Sequence, residues 1–186
     1  NGKLEMAEYL LELKSEINHK DNVSCVHTKN NDTPLHVSCE KGNLPIVHFL
    51  LEHHCEVNNK NLSFKQTPLH IAAKFGHVKI VEMLIDYHIN SRFFKQVKLE
   101  DEINLNERDI DGMTPLMRCI SECPSKEHCV EIVKLLVSND CEINIPDEKG
   151  NTALFYALQS GNDEIAVFLI LYEADINWKN KEGQTP

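Results

Sequence analysis

Thr33-Pro34-Leu35-His36 and Thr67-Pro68-Leu69-His70 are the same four residues, and altered copies follow at Thr114-Pro115-Leu116-Met117 and Thr152-Ala153-Leu154-Phe155. A fifth start, Thr185-Pro186, closes the sequence. Successive threonines stand 34, 47, 38 and 33 residues apart. The shortest interval sets a unit of about 33 residues, and the longer ones read as that unit plus insertions.

A true repeat keeps several positions in phase. Gly42, Gly76 and Gly161 each lie nine residues after their threonine, and each precedes an amphipathic stretch: Leu44 to Leu51, Val78 to Ile85, Glu164 to Leu171. Fifteen residues separate Gly42 from Val57 and Gly161 from Ile176, and the same distance separates Gly2 from Ile17. A partial unit therefore precedes the first Thr-Pro. Threonine suits a helix N-cap and proline the first helical position, so a first helix is expected from Pro34, Pro68, Pro115 and near Ala153. Leu35, Leu69, Leu116 and Leu154 are its core positions. Cys39, Ala72, Ala73, Cys119 and Ala157 are small enough for close approach of neighbouring helices. Ile46, Val47, Leu50 and Leu51, with Ile80, Val81, Leu84 and Ile85 and with Ile132, Val133, Leu135 and Leu136, mark a second helix at helical spacing.

With these signals in register the chain resembles the ankyrin-repeat family over nearly its whole length. The resemblance implies an all-α solenoid of stacked helix-loop-helix pairs with β-hairpin-like loops. Its units fall at about 1–30 (partial), 31–64, 65–111, 112–149 and 150–182, with 183–186 opening the next. The insertions lie near 89–102 and 123–128. Units cut at both ends suggest a piece of a longer array, and one helix pair cannot bury both its faces without its neighbours. No second copy is required, and a monomeric array is expected.

The formal net charge of −10, from 29 acidic and 19 basic residues, opposes docking to a phosphate backbone. Nucleic acid is not an expected partner. The longest apolar run, Ala166 to Tyr172, is too short to span a bilayer. Seven cysteines without a signal segment point to reduced thiols in the cytosol or nucleus. Nothing supplies a nucleophile, base and orienter as a set, and no phosphate-binding glycine loop occurs, so neither catalysis nor a cofactor is expected.

The resemblance implies a concave binding surface made of hairpin tips and the exposed side of the first helices. Landmark residues serve the fold, so binding information belongs where the units differ. Those positions read Val37, Ile71, Arg118 and Tyr156; then Glu40, Lys74, Ser121 and Gln159; then Lys41, Phe75, Glu122 and Ser160. At the hairpin tips they read Asp32, Gln66, Met113 and Asn151. Phe75, Arg118 and Tyr156 have the chemistry of interface anchors. The expected function is non-catalytic protein binding; the alternative is a regulatory or targeting array within a larger enzyme or ion channel.

The insertion carrying Arg92, Phe93 and Phe94 reads as a docking finger or as a surface loop whose aromatics tuck beneath the helices. Cys119, Cys123, His128 and Cys129 are four soft ligands at Cys-x3-Cys-x4-His-Cys spacing. Cys119 occupies a core position, however, and no metal is expected. His53-His54-Cys55 is read as a solvent-facing turn. Asn18, Asn58, Asn144 and Asn177 each follow an acidic and a β-branched residue and stand eight residues after a leucine, which resembles the context of asparaginyl hydroxylation. Bridging of hairpin backbone by the same asparagine accounts for it without modification. Where histidine becomes Met117 and Phe155, the bracing that the resemblance implies is lost, and packing must hold those hairpins.

Overall fold

The structure is a computed structural model, described over residues 32–93 and 103–186. Four helix pairs follow one another: α1 (Pro34–Glu40) and α2 (Leu44–Glu52), α3 (Pro68–Lys74) and α4 (Val78–Phe93), α5 (Pro115–Glu122) and α6 (Lys126–Ser138), α7 (Ala153–Gln159) and α8 (Asp163–Leu171). No strand occurs among the described residues. The first helices stack as α1, α3, α5 and α7, and the second helices as α2, α4, α6 and α8. Each pair also packs within itself, and the result is a two-layer solenoid.

The first helices begin where the threonines place them. Thr33, Thr67 and Thr114 accept from the backbone N–H three residues on, with proline at the first position. Thr152 makes no such bond, and its buried hydroxyl has no partner. The second helices have their own caps, which the sequence reading did not single out. Asn43, Ser125 and Asn162 accept from the N–H of Ile46, His128 and Ile165. At Gly42, φ is +69° and the His77 ring lies 2.7 Å from where a Cβ would stand, so this link closes tightly only with glycine.

The core follows the repeated positions. Leu35, Leu69, Leu116 and Leu154 are buried, and Cys39, Ala72, Ala73, Cys119 and Ala157 are fully enclosed between first helices. Aliphatic residues of the second helices, Val47, Leu50, Val81, Leu84, Ile132, Leu136 and Leu169, close the other side.

The expected insertions take an unexpected form. α4 continues as helix to Phe93, well past the periodic stretch that ends at Ile85. In the next unit the extra residues form an added first turn of α6, with Ser125 as its cap. Extra backbone is satisfied most cheaply by prolonging an existing helix, because each added residue gains an intrahelical bond without a new nucleus. The partial unit at 1–30 lies outside the described residues.

Candidate functional site

Three turns between the helix pairs and a fourth after the last pair are equivalent, each built by one side chain. Asn61 Oδ1 accepts from the N–H of Phe64 and Gln66, and Asp109 Oδ1 from Asp111 and Met113. Asp147 Oδ1 accepts from Lys149 and Asn151, and Asn180 Oδ1 from Glu182 and Gln184. A short acceptor two to five residues upstream replaces the strand pairing that such a short loop cannot complete. Neighbouring turns are then tied tip to tip: Ile110 N–H donates to Phe64 O, Glu148 N–H to Asp111 O and Lys181 N–H to Lys149 O, at 2.9 to 3.0 Å.

The second carboxylate oxygen of each aspartate reaches the following helix. Arg118 Nε donates to Asp109 Oδ2 at 2.5 Å, and the Tyr156 hydroxyl donates to Asp147 Oδ2 at 2.5 Å. Arg118 also pairs with Asp111 and Glu122. Burial raises the carboxyl pKa of Asp109, but the bond and charge of Arg118, with the bonds from Gln66 and the Met113 N–H, together outweigh it and hold the group below the usual carboxylate range. Burial, then the bond to the Asp147 carboxylate, pushes the Tyr156 hydroxyl up.

These contacts bear on where the expected binding residues lie. Arg118 is 9% exposed, and its guanidinium is consumed by Asp109 and Asp111 of the preceding turn and Glu122 of its own helix. Ile71 and Met113 are buried in the core, and Tyr156 is half-buried with its hydroxyl engaged. They were read as exposed because they vary between units; a position packed between turn and helix can vary too, provided its neighbour varies with it. Val37 and Glu40 are half-buried, with Glu40 beside Lys41. Lys74 pairs with Glu122 of the next unit at 2.8 Å, and Phe75 is 40% exposed and stacked on His77. Gln159 is exposed. The ends of the first helices thus form the accessible strip, with Phe75 and Leu158 its apolar members.

Other exposed apolar residues went unnoticed in the sequence. Leu62, Phe64 and Ile110 are half or more exposed at the tips of two adjacent turns. The signal was present: Asn61-Leu62-Ser63-Phe64 and Asp109-Ile110 carry apolar residues where the later turns carry Glu148 and Lys181.

Arg92 and Phe93 fall on the final turn of α4, whose side chains there are outside the described set, and Phe94 lies outside the described residues. Asn18 lies outside them as well. Asn58 Oδ1 accepts from Asn104 N–H, and Asn144 bridges Glu173 O and Asp175 N–H of the next unit. Asn177 N–H donates to Asp175 Oδ1. Among the described residues no group of histidine, cysteine and carboxylate side chains has the arrangement of a metal site. Nor is any described helix long and apolar enough to cross a membrane.

Paired helices stacked through equivalent turns define a repeat solenoid, and comparison with known proteins supplies its kind. The model of the family "Ankyrin repeats (3 copies)" matches residues 1–96, 60–147 and 90–180. The chain belongs to the ankyrin-repeat family. It is 34% identical over 116 residues to alpha-latrotoxin-Lh1a of Latrodectus hasselti, covering 62% of this chain and 7% of the relative. It is 33% identical over 97 residues to ankyrin repeat and SAM domain-containing protein 6 of Rattus norvegicus, covering 52% and 10%. It is 30% identical over 90 residues to protein glp-1 of Caenorhabditis elegans, covering 44% and 7%. The chain therefore spans a tenth or less of the length of these relatives.

Proposed function

We propose that this array binds a partner protein at the apolar tips of its first two described turns, with Phe75 at the edge of the contact. The observation that carries this reading is the adjacency of Phe64 and Ile110. Each is about half exposed, and they are fixed side by side by the Ile110 N–H to Phe64 O bond at 2.9 Å. Large apolar groups held on a rigid backbone lose little entropy on binding and gain by leaving water. The equivalent tips of the later units are charged, so the partner engages the N-terminal side of the described array. Ankyrin repeats generally mediate protein–protein interaction, and nothing in this surface requires chemistry beyond contact.

The second reading, an array serving a larger enzyme or channel, draws on the small fraction of each relative that the chain spans. It leaves the same surface as the contact.

The test compares proteins captured and cross-linked by the native chain with those captured by the double variant Phe64→Asp, Ile110→Asp. A control reverses charge at Glu148 and Lys181. Loss of specific captured proteins with the first variant and retention with the control is expected. Equal capture by all three refutes the surface.

A further inference from the structure

We propose that Cys119, Cys123 and Cys129 form an oxidant-responsive thiol site, in which Cys123 reacts with a hydroperoxide and Cys129 converts the product into a disulfide joining α5 to α6. The three cysteines flank the α5–α6 connection, the one that carries extra residues among the described units. Cys119 and Cys129 lie 3.8 Å apart at Sγ, and Cys129 Sγ also reaches Cys119 O at 3.5 Å. Both are buried, at 0% and 4% exposure. Cys123 caps the end of α5 and is only partly covered, so it is the member an oxidant reaches first. Its sulfur lies 2.9 Å from where a Cβ at Gly76 would stand, so the absence of a side chain there keeps room for it.

The surroundings favour the reactive form. As a thiol, Cys123 donates to Ser125 O at 3.3 Å. The neighbouring Cys119 and Cys129 thiols, helped by the Ser125 backbone and by His128, outweigh burial and hold its pKa well below the usual thiol range. The bonds to Cys123 and Cys129, then burial, push the Cys119 thiol up. Cys129 is pulled down by its bond to Cys119, but the Cys123 bond and burial outweigh this and push it up, so the two buried thiols stay protonated beside the accessible one.

The chemistry is a two-electron oxidation. The Cys123 thiolate attacks one oxygen of hydrogen peroxide; an S–O bond forms as the O–O bond breaks, and the departing hydroxide leaves as water after taking a proton. Cys123 becomes a sulfenic acid. Cys129 then attacks that sulfur as a thiolate, the S–S bond forms and the S–O bond breaks. Hydroxide leaves as water with the proton Cys129 gave up. Two thiols and one peroxide become one disulfide and two waters. Cys129 rather than Cys119 resolves the intermediate because Cys119 stands four residues before Cys123 on one helical turn, fixed by the Cys123 N–H to Cys119 O bond at 3.0 Å. Cys129 belongs to another helix and approaches across the connection.

Hydrogen peroxide is added to the reduced chain, free thiols are alkylated, and the protein is mapped by mass spectrometry. A Cys123–Cys129 linkage, reversible by dithiothreitol, is expected, with Cys123 consumed about tenfold faster than the other partly exposed described thiol, Cys55. Cys129→Ser should leave a sulfenic acid at Cys123 that dimedone traps, and Cys123→Ser should form no linkage. The native chain can by itself overturn the proposal. Unmodified Cys123, consumption no faster than Cys55, or any first linkage other than Cys123–Cys129 does so. So does a Cys119–Cys129 bridge that still forms in Cys123→Ser.

Discussion

The Arg118 guanidinium lies 2.5 Å from Asp109 Oδ2, and that carboxylate is fully buried while its other oxygen organises the turn through Asp111 and Met113. One aspartate thus couples the tip of the unit to the helix that follows. A buried charge is tolerable only with its partner, since desolvation costs several kcal/mol per ion.

Arg118→Ala should therefore destabilise the array by about 3 to 5 kcal/mol by stranding the Asp109 charge. Asp109→Asn should cost less than Asp109→Ala, because Asn61 and Asn180 organise equivalent turns with an amide oxygen. Urea denaturation of the three variants checks the order; equal losses for Asp109→Asn and Asp109→Ala would show that the turn bonds contribute nothing.

Stability should fall as the solution is acidified from about pH 6.5 towards 4. His70 Nδ1 accepts from Thr67 N–H, and its Nε2–H donates to Met113 O, so the folded ring is the neutral tautomer. Burial holds its pKa down at about 4, and burial likewise lowers that of His36, which makes the equivalent bonds to Thr33 and Gln66 O. The unfolded rings take protons near 6.5 while the folded rings do not, so acid favours unfolding. Stability is full above 6.5 and is lost on descent. Hydrogen exchange at pH 7 and pH 5 should show the loss in the units of His36 and His70 first. Uniform loss through the later units, where Met117 and Phe155 cannot titrate, would contradict this origin.

Phe155→His should stabilise the C-terminal unit by about 1 kcal/mol. The ring nitrogen would receive the orphaned Thr152 hydroxyl, as His36 and His70 receive those of Thr33 and Thr67 at 2.7 and 2.8 Å. A thermal midpoint that does not rise would mean that the half-buried phenyl ring already contributes as much.

Gly42→Ala should destabilise by about 2 kcal/mol, from a left-handed conformation and a displaced His77 ring. That ring holds Glu40 O at 3.1 Å, so the loss should fall on the junction between the first two described units. Gly161→Ala, with no atom near its Cβ position, should cost only the backbone part. Equal losses at the two sites would remove the steric contribution.

Part of this architecture was legible because its causes are local. A threonine before proline caps a helix wherever it stands, and apolar residues at helical spacing share a face whatever they pack against. Helix starts at Pro34, Pro68 and Pro115 and the buried leucines follow from that. The exposed strip was legible only in part. Phe75, Lys74 and Gln159 reach solvent, whereas Ile71, Met113 and Arg118 vary between units yet face inward. Variation between copies reports freedom from the repeat, and it does not distinguish solvent from a private partner.

The sequence by itself determined the repeat, its phase, its helix starts and its small-residue core, because each depends on residues within one unit. Tertiary structure alone decided what Arg118 and Tyr156 do and that Leu62, Phe64 and Ile110 stand exposed together. The physical reason is that a charge or a hydroxyl acquires its role from whatever the fold places within about 3 Å of it. Asp109 and Asp147 reach that distance only once turn and helix have closed on each other.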